Sequence, residues 1–195
     1  LRATVSGGDV EFDAAQSFDT IVLRGGSLGG AGERTLLNRL DWSGGDFEGP
    51  GRFVIAAQAI VICSGQGRFV RCDVENRGRF EFQGNAEIYM DPSVFRNTGL
   101  VIAPGMVGGS GRFWNRRGPL SRVINEGQIR VPGPGDTDFT LVQCENHGLI
   151  TIESGRLTLS GGGANTGRIE FSGTPGLLEI GGDFMPQHLG IKKDW

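Results

Sequence analysis

Asn125-Glu126-Gly127-Gln128-Ile129-Arg130-Val131 is followed, twenty-one residues on, by Asn146-His147-Gly148-Leu149-Ile150-Thr151-Ile152. The same phrase, Asn-x-Gly-x-Φ-x-Φ with Φ apolar, begins at Asn76, Asn97 and Asn165. Successive copies are 21, 28, 21 and 19 residues apart, and a degenerate copy at Asn38 stands 38 residues before Asn76. A period near 20 residues, dense in Gly and β-formers, predicts a solenoid whose stacked turns share one core.

Each copy carries its own strand pattern. The pairs Phe80/Phe82, Val101/Ala103, Ile129/Val131, Ile150/Ile152 and Ile169/Phe171 share one face of a strand, with Glu81, Arg130, Thr151 and Glu170 pointing away. A second apolar pair follows within the turn, at Ile88/Met90, Leu157/Leu159 and Leu178/Ile180. The motif Gly suits a tight bend with positive φ, and stacked turns would align the side chains of Asn76, Asn97, Asn125, Asn146 and Asn165 into a ladder of amides. About nine turns of ~21 residues would make a rod roughly 45 Å long. Gly-Arg followed by Phe, Leu or Ile recurs at Arg52, Arg68, Arg79, Arg112, Arg156 and Arg168, and alternation sends these arginines outward. Leu36, Leu37 and Leu40 within 33–43 are the one spacing that suggests a short helix.

These turns, with the Trp-Ser-Gly-Gly phrase at Trp42, resemble the right-handed β-helix repeats of bacterial cell-surface and secreted proteins, including autotransporter passengers and adhesin-like repeat proteins. The likeness covers residues 1–184, leaving 185–195 as a cap or the start of a following segment. It implies an all-β, right-handed parallel β-helix that is secreted or surface-attached. It implies little about activity, because such helices carry adhesins, lyases, hydrolases and inert stalks alike.

Composition narrows the field. Gly is 35 of 195 residues without a Gly-x-y period, and Pro is only 8, which excludes collagen and simple disorder. Net charge is −3 with no basic cluster, so a nucleic-acid partner is not expected. No apolar run approaches the ~18 residues of a membrane span. The chain opens at Leu1 in strand-like sequence, so either a leader has been removed or this is a piece of a longer protein. An unpaired first strand invites capping by residues outside the chain or by a second copy. Cys63 and Cys72 are either a disulfide across a short turn or, with Cys144, small apolar core residues.

Chemistry is sparse. A polysaccharide lyase or glycoside hydrolase on this fold needs clustered carboxylates, and Asp136-Thr137-Asp138 is the one close pair in a plausible loop. Asn146-His147-Gly148 weakly resembles the Gly-His-Gly of polygalacturonases, but His147 fills the variable middle of a structural motif. No catalytic residue, cofactor or metal site is therefore expected. The long interval between Asn97 and Asn125 places its surplus around 111–119, where Arg112, Trp114, Arg116 and Arg117 make a candidate ligand-binding loop. Trp stacks on sugar faces and Arg grips acidic groups, so an acidic polysaccharide or another copy of the chain is the expected partner. The alternative for Trp114 is that it folds back over an exposed edge of the core. An extracellular structural or adhesive rod is the expected function, and a polysaccharide-active enzyme the alternative.

Overall fold

The computed structural model describes residues 1–105, 112–116, 118–172 and 176–186. Parallel strands stack in a β-solenoid of about 8 turns of ~21 residues, with no helix among the described residues. At ~4.8 Å per turn the rod is about 38 Å long. The count is about eight and not nine because the first strand, Arg2–Glu11, pairs only with the second and third faces of the next turn and the Asn97–Asn125 interval takes 28 residues.

A turn has three faces. In the third of the five Asn-bearing turns, Arg122–Asn125 forms the first face, Gln128–Val131 the second and Asp136–Thr140 the third, before Gln143–Asn146 returns to the first. Each strand pairs in parallel with the strand one turn on, as in Asn125↔Asn146 and Ile129↔Ile150. The first turns are wound more continuously. Gln16–Gly29 runs over all three faces, pairing in sequence with Arg34–Trp42 and Asp46–Glu48.

Apolar residues of all three faces point inward, so the core is a column one residue deep per strand per turn. Phe47, Phe69, Phe53, Phe80, Phe82, Phe95, Phe113 and Phe139 are fully buried along it, and Trp42 packs edge-on to Phe47 with centroids 5.0 Å apart. Gly67 is obligatory beneath that indole, since a Cβ there would lie 2.1 Å from Trp42 Cζ2.

Residues 33–43 correct the helical expectation. Arg34–Trp42 is a strand, with Leu36 and Leu40 buried and Leu37, Asn38 and Arg39 exposed between them. The strand turns a corner there, and its register against Gln16–Gly29 shifts between Leu36 and Arg39. The extra corner residues convert a two-residue period into a four-residue spacing that mimics a helix. The same corner removes Asn38 from the Asn series, whose position is taken instead by Leu36, paired with Ile55, which pairs with Asn76.

Candidate functional site

The five motif asparagines stand in one buried column on the first face. Asn76 Nδ2 donates to Asn97 Oδ1 at 2.7 Å, Asn97 to Asn125 at 2.7 Å, Asn125 to Asn146 at 2.7 Å and Asn146 to Asn165 at 2.6 Å. The second N–H of each amide is also used. It reaches a backbone carbonyl of the next turn, at Leu100, Gln128, Leu149 and Arg168 respectively, 3.0 to 3.2 Å away. All four links run in one direction. Asn76 Oδ1, whose neighbour is Ile55, is consequently buried without a donor.

The motif glycines owe their place to stacking and not to a left-handed bend. Gly78, Gly99, Gly127, Gly148 and Gly167 are absent from the positive-φ positions. A Cβ on Gly127 would fall 2.3 Å from the Gly99 carbonyl oxygen, and one on Gly148 would fall 2.2 Å from that of Gly127. Each corner therefore rests directly on the corner before it.

Most outward arginines are already engaged. Arg52 bridges Glu33 and Glu75, Arg68 holds Asp46, Arg96 holds Glu126, Arg122 holds Glu145, Arg130 holds Glu153 and Arg156 reaches Glu179. These pairs join residues of different turns. Each is exposed on at least one side and contributes little stability alone.

Arg112 overturns the expectation that it points outward. Its guanidinium is fully buried, donating to the carbonyls of Gly84 and Ala86 at 2.9 Å each and to Pro104. It also lies 5.5 Å from the Phe82 ring centroid, and burial lowers its pKa. Arg34, which nothing in the sequence distinguishes from an exposed Glu-Arg pair, does the same in the early turns. It donates to the carbonyls of Leu28 and Glu48 at 2.9 Å and Gly51 at 2.6 Å, and it too is fully buried. Each cation is thus satisfied by backbone carbonyls of three residues.

The other members of the candidate loop separate. Phe113–Asn115 is a strand of the third face, with Phe113 and Asn115 buried and Trp114 outward and partly exposed. Trp114 therefore does not fold over the core. It pairs in register with Tyr89 one turn earlier, ring centroids 6.0 Å apart at 40°, and the Arg116 guanidinium lies 5.2 Å from the Tyr89 ring centroid. Tyr89 Oη donates to Glu87 Oε2 at 2.7 Å, which raises the phenol's pKa, and Gln66 Nε2 approaches the same oxygen at 3.4 Å. Arg117 lies outside the described residues. Tyr89 was legible as outward between Ile88 and Met90, but its partnership with Trp114 was hidden by the 28-residue interval.

Asp136 and Asp138 lie on a strand instead of a loop, with Thr137 between them turned inward to donate to the Ala103 carbonyl at 2.9 Å. Asp136 faces Arg156 at 3.6 Å. His147 stands exposed at the corner after the first face, its Nδ1 2.6 Å from Thr166 Oγ1, away from the third face that carries the aspartates. Among the described residues no three His, Cys, Asp or Glu side chains group as metal ligands. A groove of about 440 Å³ on the early turns is lined by Glu11, Asp13, Ser27, Glu48 and Arg71.

Cys63 and Cys72 form no disulfide. The strand Gln66–Val70, roughly 16 Å long, runs between them. Both thiols, like that of Cys144, are buried, and burial pushes their pKa values up to about 12, 11 and 12.

Comparisons with protein families, with characterised proteins and with solved structures return no match to this chain.

Proposed function

We propose that the chain is an extracellular rod module with a structural and adhesive role, holding a contact surface at a fixed distance from whatever carries it. The observation that supports this most is the Asn column, because a buried, directional hydrogen-bond ladder through five turns serves rigidity and offers nothing to a substrate. The outward arginines serve the same end by tying turn to turn. Thiols buried and held protonated suit oxidising surroundings, since the thiolate is the reactive form. Lineage with bacterial autotransporter passengers or adhesins belongs to the same proposal and rests on the repeat phrase alone.

The test pairs shape with turnover. The purified chain is incubated with pectin, alginate and neutral plant polysaccharides, and new reducing ends or unsaturated products are measured. A stiff particle of about 38 Å by small-angle scattering, with no turnover, is expected. Turnover abolished by Asp136→Asn, Asp138→Asn, His147→Ala or Glu48→Gln would replace the rod with an enzyme.

A further inference from the structure

Among the described residues, every aromatic side chain whose burial is defined lies in the core or packs against it, with two exceptions. The exceptions are Tyr89 and Trp114, and they are register partners on adjacent turns. Nothing in the core requires them, because Ile88, Met90 and Phe113 already fill the positions beneath. Solvent-facing aromatic area is unfavourable to maintain, and two such rings side by side mark a contact surface.

We infer that Tyr89 and Trp114 form a stacking platform for an extended, uncharged polysaccharide lying along the axis of the rod. The direction follows from the fold. The third face places Arg68, Tyr89, Trp114 and Thr140 in one outward line parallel to the axis, so a chain lying along it meets both rings in succession. The choice of a glycan follows from what surrounds the rings. Asp138, Gln66 and Thr140 flank them on the same face and supply acceptors and donors for hydroxyl groups, with Glu87 buried beneath and holding the Tyr89 hydroxyl, whereas a protein partner would need roughly 800 Å² of contact.

The uncharged character follows from the local balance of charge. Arg68 is neutralised by Asp46, and Arg116 is the other described surface cation beside the rings. Against these two stand the carboxylates of Asp46, Glu87, Asp91 and Asp138 on the same face. Arg112, which would have narrowed the difference, turns inward. A uronic-acid polymer would meet more like charge than opposite charge, while a neutral sugar face finds aromatic surface and hydrogen-bond partners.

This inference rests on the adhesive half of the proposed function, and its test separates the two. The 195-residue chain is run in native gels containing hydroxyethyl cellulose, xylan, galactomannan or polygalacturonate. Retardation by at least one neutral polymer, insensitive to added salt, is expected. Trp114→Ala and Tyr89→Ala should each weaken it about tenfold, Trp114→Phe should retain most of it, and Arg130→Ala on the second face should leave it unchanged. Circular dichroism of each variant guards against misfolding. No retardation by any neutral polymer overturns the platform, as does salt-sensitive retardation by polygalacturonate alone that Arg116→Ala removes and Trp114→Ala does not. Either failure with a folded, non-catalytic rod leaves the structural role standing.

Discussion

Asn125→Ala and Asn76→Ala delete the same side chain from the same column, and the first should cost more than the second. Asn125 lies mid-ladder: it accepts from Asn97, donates to Asn146 and donates to the Leu149 carbonyl. Its loss removes three buried hydrogen bonds, and at about 1 kcal/mol net for each the variant should be about 3 kcal/mol less stable. Asn97 Nδ2 keeps the Gln128 carbonyl at 3.0 Å, but Asn146 Oδ1 is left buried without a donor, so about 3 kcal/mol is the lower bound. Asn76 heads the ladder and makes only the two donor bonds, to Asn97 and Leu100, while its Oδ1 is already buried without a partner. Removing it loses two bonds and passes the orphaned oxygen on to Asn97 without adding another, so the net change should be about 2 kcal/mol. For a chain of this size that translates into a fall in Tm of at least about 6–12 °C for Asn125→Ala and about 4–8 °C for Asn76→Ala. Thermal unfolding followed by far-UV circular dichroism reads both. Equal losses would refute the directionality of the ladder, and a loss below about 1 kcal/mol at Asn125 would refute its role in stability.

Gly127→Ala should destabilise by more than the ordinary propensity difference, because its Cβ meets a backbone carbonyl at 2.3 Å, which cannot swing aside; chemical denaturation with a wild-type midpoint would sink the stacking account. Arg34→Met leaves the carbonyls of Leu28, Glu48 and Gly51 without their donor and should lose about 3 kcal/mol or more by the same measurement, whereas a neutral result would mean that water replaces the guanidinium. Native protein at about pH 8 should not react with a thiol-specific reagent until it is unfolded. With the three thiols raised from 9.0 to about 12, 11 and 12, the stability they contribute is whole below pH 9.0 and is lost as pH climbs through the folded-state values. A denaturation midpoint that stays level across that alkaline range would contradict their burial. At the acid end Glu75, held below its ordinary range chiefly by Arg77, contributes stability above its unfolded pKa that fades as pH falls; Glu75→Gln should flatten that limb.

The period and the alternation of Ile129, Arg130 and Val131 were enough to define parallel stacking, because strand geometry acts on every residue of a repeat. Corners were less legible. Leu36 and Leu40 look helical in the absence of register information, and Asn38 looks like a motif residue until Leu36 is seen to hold the equivalent place. Arg112 shares its tripeptide with Arg52 and Arg68, yet one turns inward and the others outward, because what decides is the carbonyls of Gly84, Ala86 and Pro104. Those belong to two other parts of the chain and leave no mark beside Arg112. The Tyr89–Trp114 pair was hidden for a related reason: an interval of irregular length breaks the arithmetic that would have placed the two rings side by side.

A one-way ladder also bears on how such a chain can grow. Each asparagine between Asn76 and Asn165 takes one proton from the turn before and gives one to the turn after. Copying a whole turn within this stretch therefore adds a matched donor and acceptor and leaves the number of stranded oxygens at one, however long the column becomes. Splicing an apolar turn such as that of Ile55 between two of the asparagines would cut the column and strand a second oxygen. Unequal recombination that lengthens or shortens the rod should accordingly be tolerated between residues 76 and 165 and selected against when it shuffles the two kinds of turn, so that reach can change in steps of one turn without any compensating substitution.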